Sequence, residues 1–187
     1  NLILLNAESH DIAALGRDDF GTFAALYTLS PFVLSDQGDD GVLEAQVKAK
    51  WGPIYDRWND DKAAIENGTT SPSLQISDQW LIDRADLLAA KVRYNFADGS
   101  LSAGIKKRYE DRTSGYAIGT NLLGLTDTIV FGSGTGESIS GGLGDDHLYG
   151  EGGNDSIDAG SGDNYAEGGG GNDTITGGGG TDQFYGG

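Results

Sequence analysis

The chain has no cysteine and no methionine, and it has only three prolines among 187 residues. Without cysteine, neither a disulfide framework nor a CxxC metal or redox site can form. Methionine is missing even at position 1, so we expect the chain to be a fragment of a longer protein. No apolar run approaches the roughly 20 residues of a membrane span, and the opening NLILL is too short for a signal-peptide core. In a fragment, however, missing targeting signals say nothing about the destination of the parent protein.

Basic residues are absent from the last part of the chain. All 12 Lys and Arg lie between Arg17 and Arg112, whereas residues 113–187 hold 11 of the 29 acidic residues and 24 of the 32 glycines. This shift predicts two domains, a mainly helical one over residues 1–120 and a glycine-rich one over residues 121–187. A formal net charge of −17 repels phosphate backbones and anionic lipid, which excludes nucleic acid and direct polybasic membrane binding. Cations are the expected partners.

The second part repeats every nine residues. Six units follow one another without a gap: GSGTGESIS (132–140), GGLGDDHLY (141–149), GEGGNDSID (150–158), AGSGDNYAE (159–167), GGGGNDTIT (168–176) and GGGGTDQFY (177–185). Their sixth positions are Glu137, Asp146, Asp155, Asn164, Asp173 and Asp182, and their eighth are Ile139, Leu148, Ile157, Ala166, Ile175 and Phe184. Asp127 and Ile129 suggest a degenerate earlier unit displaced by one residue. Gly186 and Gly187 match the start of a further unit, so we expect the array to continue in the parent.

A short fixed period predicts a solenoid, in which each unit buries its one apolar side chain by stacking on its neighbours. The glycines form turns, and the last three positions form short strands stacked in parallel about 4.8 Å apart. Two units complete one coil, so turns on the same side are 18 residues apart in sequence. Glu137, Asp155 and Asp173 should stack on one side, and Asp146, Asn164 and Asp182 on the other.

Stacked carboxylates repel one another, and this part of the chain has no basic residue to neutralise them. Ca²⁺ is the best candidate counter-ion, because it takes 6 to 8 oxygen ligands and accepts the carbonyls that glycine turns expose. Mg²⁺ requires tighter octahedral geometry, and Zn²⁺ prefers His or Cys, of which the repeats hold only His147. The absence of a GK[ST] motif and the acidic field argue against a phosphate-binding loop. We expect the tail to be disordered without calcium.

The units resemble the RTX nonapeptide, the haemolysin-type calcium-binding repeat GGxGxDxUx, in which U is a large apolar residue. The resemblance covers residues 124–187 and implies a right-handed parallel β-roll with several calcium ions, about four, between successive turns. Asp146, Asp155, Asp173 and Asp182 match the ligand aspartate. Asn164 and Glu137 occupy the same position, and the implied carbonyl ligands are those of Gly142, Gly144, Gly153, Gly160, Gly162, Gly169, Gly171 and Gly180.

Two units depart from this pattern. Asn164 is neutral and Ala166 is small, which predicts that the fourth unit packs loosely and binds its ion more weakly. Glu137 has a longer side chain than aspartate, and Thr135 replaces a glycine, so these two residues weaken the expectation of a site in the first unit.

Residues 1–112 show helical periodicity. We expect helices over Asp18–Leu29, over Pro53–Ile65 with Pro53 in the first turn, and over Ser77–Asn95 with Ser77 as N-cap. Residues 106–118 alternate like a β-hairpin that leads into the roll. The segments 19–34 and 76–92 are similar to the helical segment that precedes the repeats in large RTX toxins and RTX lipase-like proteins. That resemblance implies a mainly helical segment capping the first coil, and hence an α+β fold.

No active site is evident. His10 stands between Ser9 and Asp11, but neighbours in sequence rarely form an acyl-transfer triad, and the chain contains no GxSxG motif. A surface histidine at a helix start is the simpler interpretation. It remains open that His10 completes a triad whose other members precede the fragment.

Three functions are compatible with these features. The first is a non-catalytic, calcium-binding region of a secreted bacterial RTX protein such as a toxin, exported unfolded by the type I pathway and folding on calcium outside the cell. The second is the C-terminal part of a secreted lipase-like hydrolase. The third is an adhesive or self-assembling surface protein. Any membrane or host target would be engaged through parent regions outside this chain.

Overall fold

The computed structural model describes residues 2–4, 9–30, 32–34, 42–69, 76–96, 107–119 and 125–187. The chain divides into two compact units, Asn1–Ser71 with Ile76–Val92 and Pro72–Gln75 with Arg93–Gly187. The domain boundary expected between residues 120 and 121 falls in the segment 120–124, outside the described residues. None of the helices in the described ranges is long and apolar enough to cross a membrane.

The described residues of the N-terminal part form four helices and one small sheet. The elements are β1 (Leu2–Leu4), α1 (Ser9–Asp18), α2 (Phe20–Tyr27), β2 (Phe32–Leu34), α3 (Val42–Glu66) and α4 (Asp78–Phe96). Strands β1 and β2 pair antiparallel. The last residues of α4, from Arg93 onward, belong to the second unit.

Side-chain caps begin two of these helices where the sequence places them. Asp19 caps α2, and its Oδ2 accepts a hydrogen bond from the backbone N–H of Thr22 at 2.6 Å. Ser77 caps α4, and its Oγ accepts from the N–H of Trp80 at 2.9 Å. Each cap satisfies an N–H that the first helical turn leaves without a partner. The predicted helices over 18–29 and 77–95 are therefore confirmed in position.

Helix α3 is longer than expected. It begins at Val42, 11 residues before Pro53, and Trp51 interrupts it with non-helical dihedral angles (φ −117°, ψ 17°). Because proline has no N–H and cannot continue an uninterrupted helix, the break two residues before Pro53 leaves that residue in the first turn of the following segment. The expectation for residues 53–65 is thus correct for the second segment of α3. The first segment of α3 was not expected, and for α1 only a helix start at His10 was.

Aromatic and aliphatic side chains form the core of the first unit. Phe23 and Leu26 of α2 are fully buried, and Trp80 and Leu81 of α4 are nearly so. Trp58 of α3 is also buried, and its indole N–H donates to the carbonyl of Gly16 at 2.9 Å. Trp58 and Trp80 are therefore core residues.

Strands β3 to β11 form two sheets. The strands are β3 (Arg108–Asp111), β4 (Tyr116–Ile118), β5 (Thr128–Ser133), β6 (Ser138–Gly142), β7 (His147–Glu151), β8 (Ser156–Gly160), β9 (Tyr165–Glu167), β10 (Thr174–Thr176) and β11 (Gln183–Tyr185). One sheet has the order β11-β9-β7-β5-β3-β4, and the other has the order β10-β8-β6. From β5 onward, successive strands alternate between the two sheets, and pairing within each sheet is parallel. The predicted parallel β-roll is confirmed.

Apolar side chains at the eighth positions, together with Ala159, fill the space between the two sheets of the roll, whereas Phe184 of the last unit is exposed. The core of the roll consists of Val130, Ile139, Leu148, Ile157, Ala159 and Ala166, with Ile175 packed against them. Val130 lies opposite Leu148, which places Thr128 at the sixth position and Val130 at the eighth. The register therefore continues upstream without a displacement. Our interpretation of Asp127 and Ile129 as a displaced sixth and eighth position was wrong, because Asp127 occupies the fifth.

The two walls of the roll differ on their outward faces. The three-stranded sheet presents exposed polar side chains. In the six-stranded sheet, β5 and β7 present buried or half-buried, mainly apolar side chains, whereas β11 is exposed. Phe131 stacks on Tyr149 with ring centroids 5.1 Å apart and an interplanar angle of 6°. Tyr149 contacts Tyr165, which contacts Tyr185, at 6.1 and 5.5 Å between centroids. These four rings form an aromatic column along the six-stranded sheet.

A β-hairpin extends the six-stranded sheet at the N-terminal end of the roll. Strands β3 and β4 pair antiparallel, and β3 pairs in parallel with β5, so that Glu110 lies opposite Val130. Asp111 organises the connecting turn, where its Oδ1 accepts from the N–H of Thr113 and its Oδ2 from the hydroxyl of Ser114. The predicted hairpin is confirmed over its described residues, 107–118.

Candidate metal centre

From the second unit onward, the side chain of the sixth residue bonds to the turn that precedes it by 18 residues. On one wall, Asp155 Oδ1 accepts from the N–H of Glu137 at 2.8 Å, and Asp173 Oδ1 accepts from the N–H of Asp155 at 2.9 Å. The other wall repeats the arrangement with Thr128 N to Asp146 Oδ1 at 2.6 Å, Asp146 N to Asn164 Oδ1 at 3.0 Å and Asn164 N to Asp182 Oδ1 at 3.2 Å. The two predicted columns of sixth-position residues are thus present, one on each side of the roll.

These hydrogen bonds use only one of the two carboxylate oxygens. The Oδ2 atoms of Asp146, Asp155 and Asp173 are buried and have no hydrogen-bond partner in the described residues. Asp146 is fully buried and Asp155 is 3% exposed. A buried carboxylate oxygen without a partner destabilises a fold by several kcal/mol unless a cation or donor satisfies it. The three Oδ2 atoms therefore fit a bound cation.

Burial also changes the acidity of two of these groups. Burial raises the pKa of Asp146 to about 6, and the nearby charges of Asp127 and Asp145 act in the same direction. Burial likewise raises the pKa of Asp155, with contributions from Asp173 and Glu137. Each raised pKa means that the ionised carboxylate is unstable in this setting without a counter-charge. A cation would remove this destabilisation.

Glycine at the first position of a unit makes room for the carboxylate of the same unit. A Cβ built on Gly150 would lie 2.5 Å from Asp155 Oδ2 and 2.3 Å from the carbonyl oxygen of Gly168. Gly141, Gly168 and Gly177 meet the Oδ2 atoms of Asp146, Asp173 and Asp182 in the same way, at 2.3 to 2.5 Å. A carboxylate and a main-chain carbonyl therefore converge where no side chain fits. Sequence analysis missed these first-position glycines, although only the fourth unit replaces the residue, with Ala159.

The predicted glycine ligands lie at the second and fourth positions of the turns. The backbone has positive φ at Gly142, Gly153, Gly160, Gly162, Gly169, Gly171 and Gly180, and Gly144 is the exception. Positive φ is accessible to glycine at little cost and turns the backbone sharply. Coordination by the carbonyls of these eight residues stays a prediction.

A second ladder at the fifth position was not expected. Asp127 Oδ1 accepts from the N–H of Asp145, Asp145 Oδ1 from Asp163, and Asp163 Oδ1 from Thr181, at 2.7 to 3.1 Å. On the other wall, Asn154 Oδ1 accepts from the N–H of Asn172 at 2.9 Å. In these bonds the side chain of the earlier turn accepts from the backbone N–H of the later turn. At the sixth position the accepting side chain belongs to the later turn instead. Asp or Asn at the fifth position was the available sequence signal.

An amide side chain links the fourth unit to the sixth. Asn164 Nδ2 donates to Asp182 Oδ1 at 3.0 Å and to the carbonyl of Gly162 at 3.2 Å. Asn164 and Ala166 are both buried, so the loose packing expected for this unit is not observed. Its amide group supplies the donor that the aspartates of other units lack. Binding of an ion by Asn164 stays a prediction.

All the donors at these positions are oxygens. Within the described ranges, no cluster of three or more His, Asp or Glu side chains is placed to hold a metal ion. A cation here would therefore need main-chain carbonyls besides carboxylate oxygens, which suits Ca²⁺ better than Zn²⁺. His147 packs its ring on Tyr165 at 5.6 Å between centroids, and His10 is exposed on α1.

Comparison with known proteins agrees with this chemistry. A family model described as the RTX calcium-binding nonapeptide repeat (4 copies) matches residues 131–166 and 158–187. No curated protein matches the chain, and no solved structure does. The family match covers the turns that carry the unpartnered carboxylate oxygens and none of the helices. Residues 131–187, the C-terminal third of the chain, thus carry RTX calcium-binding nonapeptide repeats.

Proposed function

We propose that the β-roll is a calcium-triggered folding module of a secreted bacterial protein. The observation that carries this proposal is the set of three buried Oδ2 atoms, on Asp146, Asp155 and Asp173, that lack a partner. Without a cation these atoms oppose folding, and with one they link neighbouring turns. Binding and folding are then a single equilibrium.

We place the ions, about four in number, between successive turns of each wall. Asp146, Asp155, Asp173 and Asp182 supply the carboxylates in this proposal, and carbonyls of the glycine turns complete each shell. Extracellular calcium modules typically bind with dissociation constants of about 10⁻⁴ to 10⁻³ M. Such sites are empty at intracellular calcium levels and filled outside the cell. An unfolded tail in the producing cell also suits export through a type I channel.

The test is a calcium titration of the chain, followed by circular dichroism and calorimetry. We expect strand signal to rise cooperatively at submillimolar to millimolar Ca²⁺ and to disappear on addition of EGTA. Mg²⁺ at the same concentration is the control, since its octahedral preference suits these sites poorly. A roll that is equally structured in EGTA and in calcium would refute the proposal.

A further inference from the structure

The sixth-position acidic residue of the first unit has different hydrogen-bond partners from those of the later units. Asp155 and Asp173 each reach back to the N–H of the turn 18 residues earlier. Glu137, the first acidic residue on this wall, bonds within its own turn, where its Oε2 accepts from the N–H of Ser133 at 2.6 Å. Its other oxygen, Oε1, lies 3.7 Å from Nη1 of Arg112.

The guanidinium group of Arg112 is surrounded by oxygen atoms. Nη1 donates to the carbonyl of Ser138 at 3.0 Å, and Nε donates to Glu110 Oε1 at 2.9 Å. Together with Glu137 these contacts comprise two carboxylates and one main-chain carbonyl. This is the kind of donor set that a calcium ion would use, and here a side chain provides the positive charge.

The hairpin holds Arg112 in place through the alternation of strand residues. Arg108, Glu110 and Arg112 are two residues apart, so their side chains point to the same side of β3. Glu110 lies opposite Val130, which faces the core of the roll. The backbone N–H of Arg112 also donates to the carbonyl of Phe131 at 2.9 Å, which continues the ladder between β3 and β5.

Two arginines, Arg108 and Arg112, pair with two glutamates, Glu110 and Glu137, at this end of the roll. Both Arg108 and Arg112 form ion pairs with Glu110. Burial alone would raise the pKa of Glu110, but the hydrogen bonds from the two arginines bring its pKa below the ordinary value. Arg112 is also the last basic residue of the sequence. The later turns therefore contain no lysine or arginine of their own.

We propose that Arg112 takes the place of the cation at Glu137, so that the hairpin, β5 and the turn leading to Glu137 form a calcium-independent start of the roll. Calcium then adds the later turns to this preformed end, from β7 towards β11. Glu137 is accordingly a partner of Arg112 and not a metal ligand, unlike the other acidic sixth-position residues. This inference rests on the proposed function, because it divides the roll into a part that needs calcium and a part that does not.

Hydrogen exchange followed by mass spectrometry on the whole chain tests the division. In EGTA we expect peptides from residues 107–118 and 128–137 to be protected, and peptides from residues 147–185 to exchange freely. Calcium should then protect the second set. Arg112→Gln should raise exchange at residues 128–137 in EGTA by about tenfold or more, the effect of losing charged hydrogen bonds. Arg108→Gln removes the same charge from β3, where the side chain of Arg108 pairs with Glu110 alone among the described residues, so it should have a much smaller effect.

A second variant distinguishes the partner of Arg112 from a metal ligand. Glu137→Gln should raise exchange at residues 128–137 in EGTA and leave the number of calcium ions bound per chain unchanged. If Glu137 instead binds calcium, the variant will lower that number by one and will leave exchange in EGTA as it was.

Two outcomes separate this inference from the proposed function. Free exchange of residues 107–137 in EGTA, with calcium protecting the entire roll, overturns the preformed end and leaves the calcium-triggered module intact. Protection of residues 147–185 in EGTA overturns the calcium-triggered module itself. Equal effects of Arg112→Gln and Arg108→Gln would show that general charge, not the contact with Glu137, stabilises the end.

Discussion

Asp155 Oδ1 accepts a hydrogen bond from the backbone N–H of Glu137 at 2.8 Å, while its second carboxylate oxygen is buried without a partner. One side chain thus links two turns through its first oxygen and presents the second for a cation. Because the two oxygens have different roles, a substitution can remove the charge of this side chain and keep its hydrogen bond.

Asp155→Asn keeps the acceptor and removes the charge. We expect the calcium concentration at half-folding to rise about tenfold or more, because a charged ligand oxygen is lost. In EGTA the variant should show no less strand signal than the native chain. The matched control is Asp158→Asn, which removes the same charge from an exposed position on β8 and should shift the midpoint little. Equal shifts in the two variants would mean that overall charge, not a specific site, controls folding.

Protonation of Asp146 at low pH should partly stabilise the roll in the absence of calcium. Its pKa is about 6 in the folded roll, against an ordinary value of 3.8, and burial is the main cause. Between these values the folded state holds a proton that the unfolded state has lost, so stability falls as pH rises from about 4 to about 6. In EGTA, circular dichroism should therefore show strand signal increasing as pH is lowered through 6.

The same group should weaken calcium binding in acid, since only the ionised carboxylate binds the ion. Asp146→Asn is expected to remove the step near pH 6 from both the EGTA and the calcium titrations. A native chain whose strand content in EGTA falls on acidification to pH 5 would contradict this assignment.

Ala159 and Asn164 should act as a pair. In units with glycine at the first position, a Cβ there would lie within 2.5 Å of the aspartate Oδ2. Asn164→Asp alone should destabilise the roll in calcium, because the methyl group of Ala159 crowds the new carboxylate and the bond to Asp182 is lost. Ala159→Gly together with Asn164→Asp should recover stability and bind one more ion. A double-mutant cycle by denaturant unfolding should give a coupling of about 1 kcal/mol or more, and additive effects would exclude the crowding.

Glu151 occupies a glycine position at a conformational cost. It has φ +72°, a region that disfavours residues with a Cβ by roughly 1–2 kcal/mol. Both Glu151→Ala and Glu151→Gly remove the side chain, but only the second removes the strain. In calcium, the glycine variant should be more stable than the alanine variant by about 1 kcal/mol in denaturant unfolding. Equal stability would indicate that the turn relaxes around a Cβ.

The nine-residue period was sufficient to predict the roll, its two acidic columns and most of its core. The apolar residue at the eighth position of each unit can be buried only if the units stack. This predicts that Ile139 pairs with Ile157 and Leu148 with Ala166, as the structure shows. The predicted register was wrong at Asp127, because an acidic residue alone does not distinguish the fifth position of a unit from the sixth. The pairing of Val130 with Leu148 and the direction of the bond between Asp127 and Asp145 show which position it occupies.

Other features depend on contacts that a linear pattern does not specify. The pairing of Arg112 with Glu137 joins residues 25 apart across the end of the coil, and the sequence showed only that Arg112 was the last basic residue. Likewise, Asn164 looked like a weakened ligand, because its two donated hydrogen bonds become visible only when the turns are stacked. In the helical part, Pro53 correctly predicted a helix start, but the helical segment before Trp51 was not predicted.

The aromatic column and the tryptophans give the chain two independent spectroscopic reporters. All three tryptophans, Trp51, Trp58 and Trp80, belong to the first unit, whereas the roll absorbs near-ultraviolet light through tyrosine and phenylalanine alone. Stacked rings such as Phe131 and Tyr149 produce near-ultraviolet dichroism only while the strands beneath them are aligned. Tryptophan emission and tyrosine dichroism, recorded in one experiment, would show whether the helical unit responds when the roll assembles.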